Sequence, residues 1–89
     1  VDSKPEQLDS IDREIVRLKI EAEALKKETD TASKDRLVRL EKELADLEEQ
    51  SAVITARWKA EKDKLGRAAE LKKQLEEART ELAQAQRQG

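Results

Sequence analysis

The chain has 89 residues, 45% of them charged and 36% hydrophobic, with a single aromatic residue, Trp58, and no Cys, Met or His. Lys and Arg number 19 against 21 Asp and Glu, so the formal charge nearly cancels at −2. This composition excludes a thick globular core, a disulfide framework or a Cys/His zinc site, and any run of roughly 18 apolar residues able to span a membrane. Interleaved Glu and Lys with Leu and Ala as the main apolar residues is instead the composition of long helices and coiled coils. No signal-peptide pattern is present, and a reducing cytoplasm is the expected compartment.

The first element follows SKPE. Ser3 reads as an N-cap, Glu6 as the matching capping-box residue and Pro5 as a first-turn proline. From there Leu8, Ile11, Ile15, Leu18, Ala22 and Leu25 recur at alternating spacings of three and four, which places them on one stripe of a helix. The stripe stops at KKETDTASKD, whose Thr, Asp and Ser compete for backbone hydrogen bonds and favour turns and caps. A second stripe then runs through Leu37, Leu40, Leu44, Leu47, Ser51, Ile54 and Trp58. The expected fold is all-α: an antiparallel coiled-coil helical hairpin whose second helix extends well beyond the first. It forms a single domain over 1–89, with helix one at about 4–28, a turn at 29–33 and a long helix at about 34–87.

Antiparallel pairing about the turn sets Leu25 by Leu37, Ala22 by Leu40, Leu18 by Leu44, Ile15 by Leu47, Ile11 by Ser51 and Leu8 by Ile54. The same register puts Trp58 beside Pro5, as a packing plug at the base of the hairpin rather than a binding anchor. Beyond Trp58 the seam shifts phase. Leu65, Ala68 and Leu71 follow at successive spacings of three before Leu75, Ala78, Leu82 and Ala85 resume the alternation, the signature of a stammer. Gly66 lies inside the shift, where it permits a bend or close packing. The long helix measures about 80 Å, and its second half presents an apolar stripe without a partner in the sequence. The chain is therefore expected to be a fragment whose returning helix is missing, free to self-associate through 61–89.

Motifs for chemistry are lacking. There is no GxxxxGK[ST] or GxGxxG phosphate loop, no HExxH, no imidazole and no thiol, so neither catalysis nor a cofactor is expected. Adjacent carboxylates such as Glu48 and Glu49 do not face each other on a helix and read as solvated surface. Lys59, Lys62, Lys64 and Arg67 alternate with Glu61 and Asp63 without an aromatic platform, which argues against nucleic acid. A tRNA-binding arm is disfavoured because the first 30 residues carry six basic against nine acidic side chains. The tip, Lys26 to Lys34, is the part of the hairpin that a stalk would present.

SKPE, LKIEAEALKKETD running into ASKDRL, and ARWKAEKDKL resemble the middle domain of ClpB-type Hsp100 protein disaggregases of bacteria, over nearly the whole chain. The resemblance implies a two-winged coiled coil inserted in an ATPase domain, of which this chain holds the first wing, the shared long helix and the start of the second wing. It also implies regulation in the stress response. The first wing touches neighbouring ATPase domains of the parent hexamer and restrains ATP hydrolysis, while Hsp70 docks on the second wing and relieves the restraint. By position in the motifs, Glu28 matches the acidic first-wing contact, flanked by Lys27 and Asp30, and Lys72 matches a basic docking position. Because the family's second-wing sequence continues past the QRQG end, Hsp70 docking is not expected of this chain alone. The alternative is a plain tethering hairpin with no regulatory role.

Overall fold

A computed structural model describes residues 3–89, with two α-helices: α1, Glu6–Lys26, and α2, Thr31–Gln88. They form the expected all-α hairpin, in which α1 packs on the first part of α2. The chain divides into two units, Val1–Trp58 and Lys59–Gly89. The first holds the hairpin and the second is the remainder of α2.

α1 starts later than the capping-box pattern predicts. Its N-cap is Pro5 (φ −55°, ψ 141°), without a side-chain cap, and Ser3 stands outside the helix. The Pro5 ring fixes its own φ and biases the preceding residue away from helical geometry, so the helix cannot run back through Lys4. The Pro5 carbonyl still accepts the first helical bond, from the Asp9 N–H at 3.0 Å. Glu6 and Asp9 supply negative charge in the first turn, where the helix dipole favours it.

At the other end, the Lys27 N–H donates to the Ala24 carbonyl at 3.3 Å and the Glu28 N–H to the Leu25 carbonyl at 3.0 Å. These bonds tighten the last turn. No described residue has a positive φ outside glycine, and no described glycine has one either, so the chain reverses through 27–30 without a left-handed residue. α2 begins at Thr31 rather than near Lys34 because Asp30 is its N-cap. The Asp30 carboxylate accepts the Ser33 N–H at 3.0 Å, and its carbonyl accepts the Lys34 N–H at 3.1 Å. Thr31, Ala32 and Ser33, read from the sequence as turn, thus form the first turn of the helix.

Apolar burial follows the two stripes. Ile15, Leu18, Ala22, Leu40 and Leu44 make one buried cluster, with Ile11, Leu25, Leu37 and Leu47 packed against it. Leu18 and Leu40 are fully buried, and Leu8 is 2% exposed. Polar side chains close both flanks of this seam. Arg36 donates two hydrogen bonds to Glu21, at 3.2 and 3.1 Å, and Lys19 lies 3.5 Å from Glu48. Ser51 donates to Asp12 at 2.8 Å. All three pairs cross from α1 to α2 near the register that the stripes predict.

The second unit has no buried residue: every position from 59 to 89 is exposed. Its stripe leucines, Leu65, Leu71, Leu75 and Leu82, are 52 to 65% exposed. Gly66 sits inside α2, and a Cβ built there meets nothing within 4 Å, so no close approach within the chain accounts for this glycine.

Two stability differences follow. Leu18→Ala removes a fully buried side chain and is expected to cost about 2–5 kcal/mol in urea denaturation of the chain, whereas Leu75→Ala should change it by less than about 0.5 kcal/mol. Gly66→Ala replaces the poorest helix former short of proline in an open position, and circular dichroism should show more persistent helix on heating, by about 1 kcal/mol.

Candidate functional site

Three of the residues singled out in the sequence, Lys27, Glu28 and Asp30, lie together in the connection at the hairpin tip. Trp58 ends the first unit and Lys72 belongs to the second. The tip residues differ in what already occupies them. Asp30 is committed to the N-terminus of α2, where the Ser33 hydroxyl and then its backbone N–H hold the carboxyl below the usual carboxylate range. Glu28 uses only its backbone, in the bond to Leu25. Its carboxylate is exposed, and among the described residues it has no salt bridge or side-chain hydrogen bond.

Lys27 is the C-cap of α1 and is exposed. Its neighbour Lys26 pairs with Glu23 at 2.9 Å, and Lys26 first, with Lys27 contributing last, draws the Glu23 carboxyl down from its ordinary value. The tip is therefore a small polar cap with one uncommitted carboxylate among partly satisfied charges. It sits on the packed cluster that ends at Leu25 and Leu37.

Trp58 is half-buried on α2. Lys72 is exposed, next to the stripe leucine Leu71. Arg79 lies seven positions on, along the same edge of the stripe.

Elsewhere the surface offers little for chemistry. Along the hairpin, a shallow groove is lined by Gln7, Asp46, Glu49, Gln50, Val53 and Ile54, which supply carboxylates and amides but no imidazole or thiol. Among the described residues no group of three or more Asp or Glu is arranged to hold a metal ion. No helix of the described residues is long and apolar enough to cross a membrane.

The sequence did not reveal one polar network at the seam. Ser51 occupies a seam position and donates to Asp12, which Lys4 approaches at 2.6 Å. Lys4 first, then Ser51, holds the Asp12 carboxyl below its ordinary value. The signal was present in the register, because setting Ile11 against Ser51 places Asp12 at its side.

Comparison with known proteins gives a consistent result. The chain is 75% identical over all 89 residues to the chaperone protein ClpB of Mesorhizobium japonicum and 73% identical over the same length to that of Brucella suis. It is 47% identical over 87 residues, 98% of the chain, to chaperone protein ClpB 1 of Thermosynechococcus vestitus. The chain is a segment of the ClpB family. It spans about a tenth of the length of the curated relatives it matches, 10% in each case. No family model matches the chain, and no solved structure matches it significantly. The resemblance to a ClpB coiled coil that SKPE, ALKKETD and WKAEK carry thus extends over the full length of the chain.

Carboxylates at the tip and at the seam set a pH dependence. Asp30 and Asp12 are lowered in the fold relative to the unfolded chain, so their contribution is complete above the unfolded value, about pH 4, and is lost as pH falls through the lower folded values. The melting temperature, followed by circular dichroism, should hold steady down to about pH 5 and drop below about pH 4. Asp30→Asn, which keeps a capping oxygen without a titrating charge, should make that drop shallower.

Proposed function

We propose that this chain is the coiled-coil middle domain of a ClpB-type Hsp100 disaggregase, acting in the cytoplasm as a non-catalytic regulator of the ATPase ring. In this reading the hairpin tip meets a neighbouring ATPase domain of the parent hexamer and restrains ATP hydrolysis. Glu28 provides the contact charge, while Lys27 and Asp30 shape the connection that presents it. Lys72, on the uncovered part of α2, is a basic docking position for Hsp70, which relieves the restraint.

The observation that carries the reading is the division of labour at the tip. Asp30 is spent on capping α2, whereas the exposed Glu28 carboxylate has no intramolecular task, though its backbone is held by the bond to Leu25. A charge of this kind adds little to folding and remains available to an oppositely charged partner, for which such pairs set specificity and rate of encounter. The core of Ile15, Leu18, Ala22, Leu40 and Leu44 gives the tip a firm support. A tethering hairpin needs that core but has no use for a particular charge at its end.

Glu28→Lys in the full-length ClpB ring that carries this segment is expected to raise the basal ATPase rate severalfold. In the 89-residue chain the same change should alter stability by less than about 0.5 kcal/mol. An unchanged ATPase rate beside unchanged melting would replace the regulatory reading with the tether.

A further inference from the structure

The buried cluster of the hairpin does not take in its whole seam. The cluster runs from Leu25 and Leu37 near the tip to Ile11 and Leu47, and Leu8, although 2% exposed, lies outside it. The gap falls where α2 places Ser51. A serine has too little carbon to fill a seam layer, and its hydroxyl is turned sideways to Asp12 at 2.8 Å. Asp12 is tied in turn to Lys4 at 2.6 Å, ahead of the Pro5 N-cap. One network therefore joins the segment before α1, the second turn of α1 and the middle of α2.

We infer that the base of the hairpin is a cooperative unit of its own, latched by Lys4, Asp12 and Ser51, which opens while the tip core stays packed. Cooperative opening follows contiguous apolar contact, and here that contact thins to Ile11 in a layer otherwise held through charge and hydrogen bonds. On the tip side are five buried residues. On the base side Leu8 alone among the described residues is buried, with Pro5, Ile54 and Trp58 half-buried where the register sets them around it.

The base and the tip of the hairpin thus differ in how much apolar surface secures them. Opening the base releases the first turns of α1 from α2 and uncovers Trp58, without disturbing the residues that support Glu28. The latch is independent of whether the tip regulates an ATPase.

Native-state hydrogen exchange of the 89-residue chain across low urea concentrations tests this. The amides of Asp9 to Arg13 should merge into one opening curve with a clear urea slope, separate from and below that of Leu18 to Leu25. Fraying of a helix end would instead give a graded series with almost no urea dependence.

Ser51→Leu, which completes the apolar layer, should raise protection of the base amides about tenfold or more and bring the two curves together. Ser51→Ala, which removes the bond while leaving the backbone intact, should lower base protection about two- to tenfold and leave the tip amides unchanged. A single curve for base and tip in the unaltered chain, or a graded series without urea dependence, overturns the inference. So does an equal response of base and tip to either substitution.

Discussion

Everything in the first unit depends on one seam, the contact of the α1 stripe with the first part of α2. α1 has 21 residues, and helices of that size in water are held mainly by the burial of one face rather than by intrinsic propensity. With 45% charged residues, the apolar side chains suffice for a single row along each helix, and the row works because spacings of three and four keep it on one side. The flanking pairs Glu21 with Arg36 and Lys19 with Glu48 add little energy, being partly or wholly exposed. Their complementary signs are compatible with this register.

Beyond Trp58 the same helical sequence continues under different conditions. The stripe persists through Leu65, Leu71, Leu75 and Leu82, yet none of these is buried. Helical geometry there rests on propensity and on local side-chain pairs such as Gln74 to Glu70 at 3.4 Å. Exposed apolar surface with an ordered spacing is characteristic of a surface that pairs with another, and Lys72 and Arg79 lie along one edge of it. Coverage therefore separates the two units, although composition changes little between them.

The fold was legible in the sequence because a coiled-coil seam is written directly in the spacing of its residues. The two stripes, the reversal between them and the loss of cover after Trp58 could all be read from the order of Leu, Ile and Ala. Helix ends were less legible, since they depend on competition among neighbouring caps. Ser3 looked like the N-cap, but the Pro5 ring moved the start to Glu6. Residues 29–33 looked like the turn, but Asp30 captured the Ser33 N–H and drew Thr31 into α2. At the candidate site, the positions of Lys27, Glu28 and Asp30 in one connection followed from the sequence. That Asp30 is occupied and Glu28 is not depends on which oxygen lies within reach of which backbone donor, and spacing does not record that.

The connection through 27–30 has a mechanical consequence. It reverses the chain without a glycine and without any positive φ, and it is pinned on one side by the Lys27 and Glu28 N–H bonds into α1 and on the other by the Asp30 cap. Few backbone conformations remain open to it, so the Glu28 carboxylate is offered from an almost fixed point with only its own side-chain rotamers to lose. In the proposed role, a partner cation that meets it forgoes the ordering penalty that a floppy loop would impose. The strength of such a contact can then be graded by charge and salt, with little folding of the tip to accompany it.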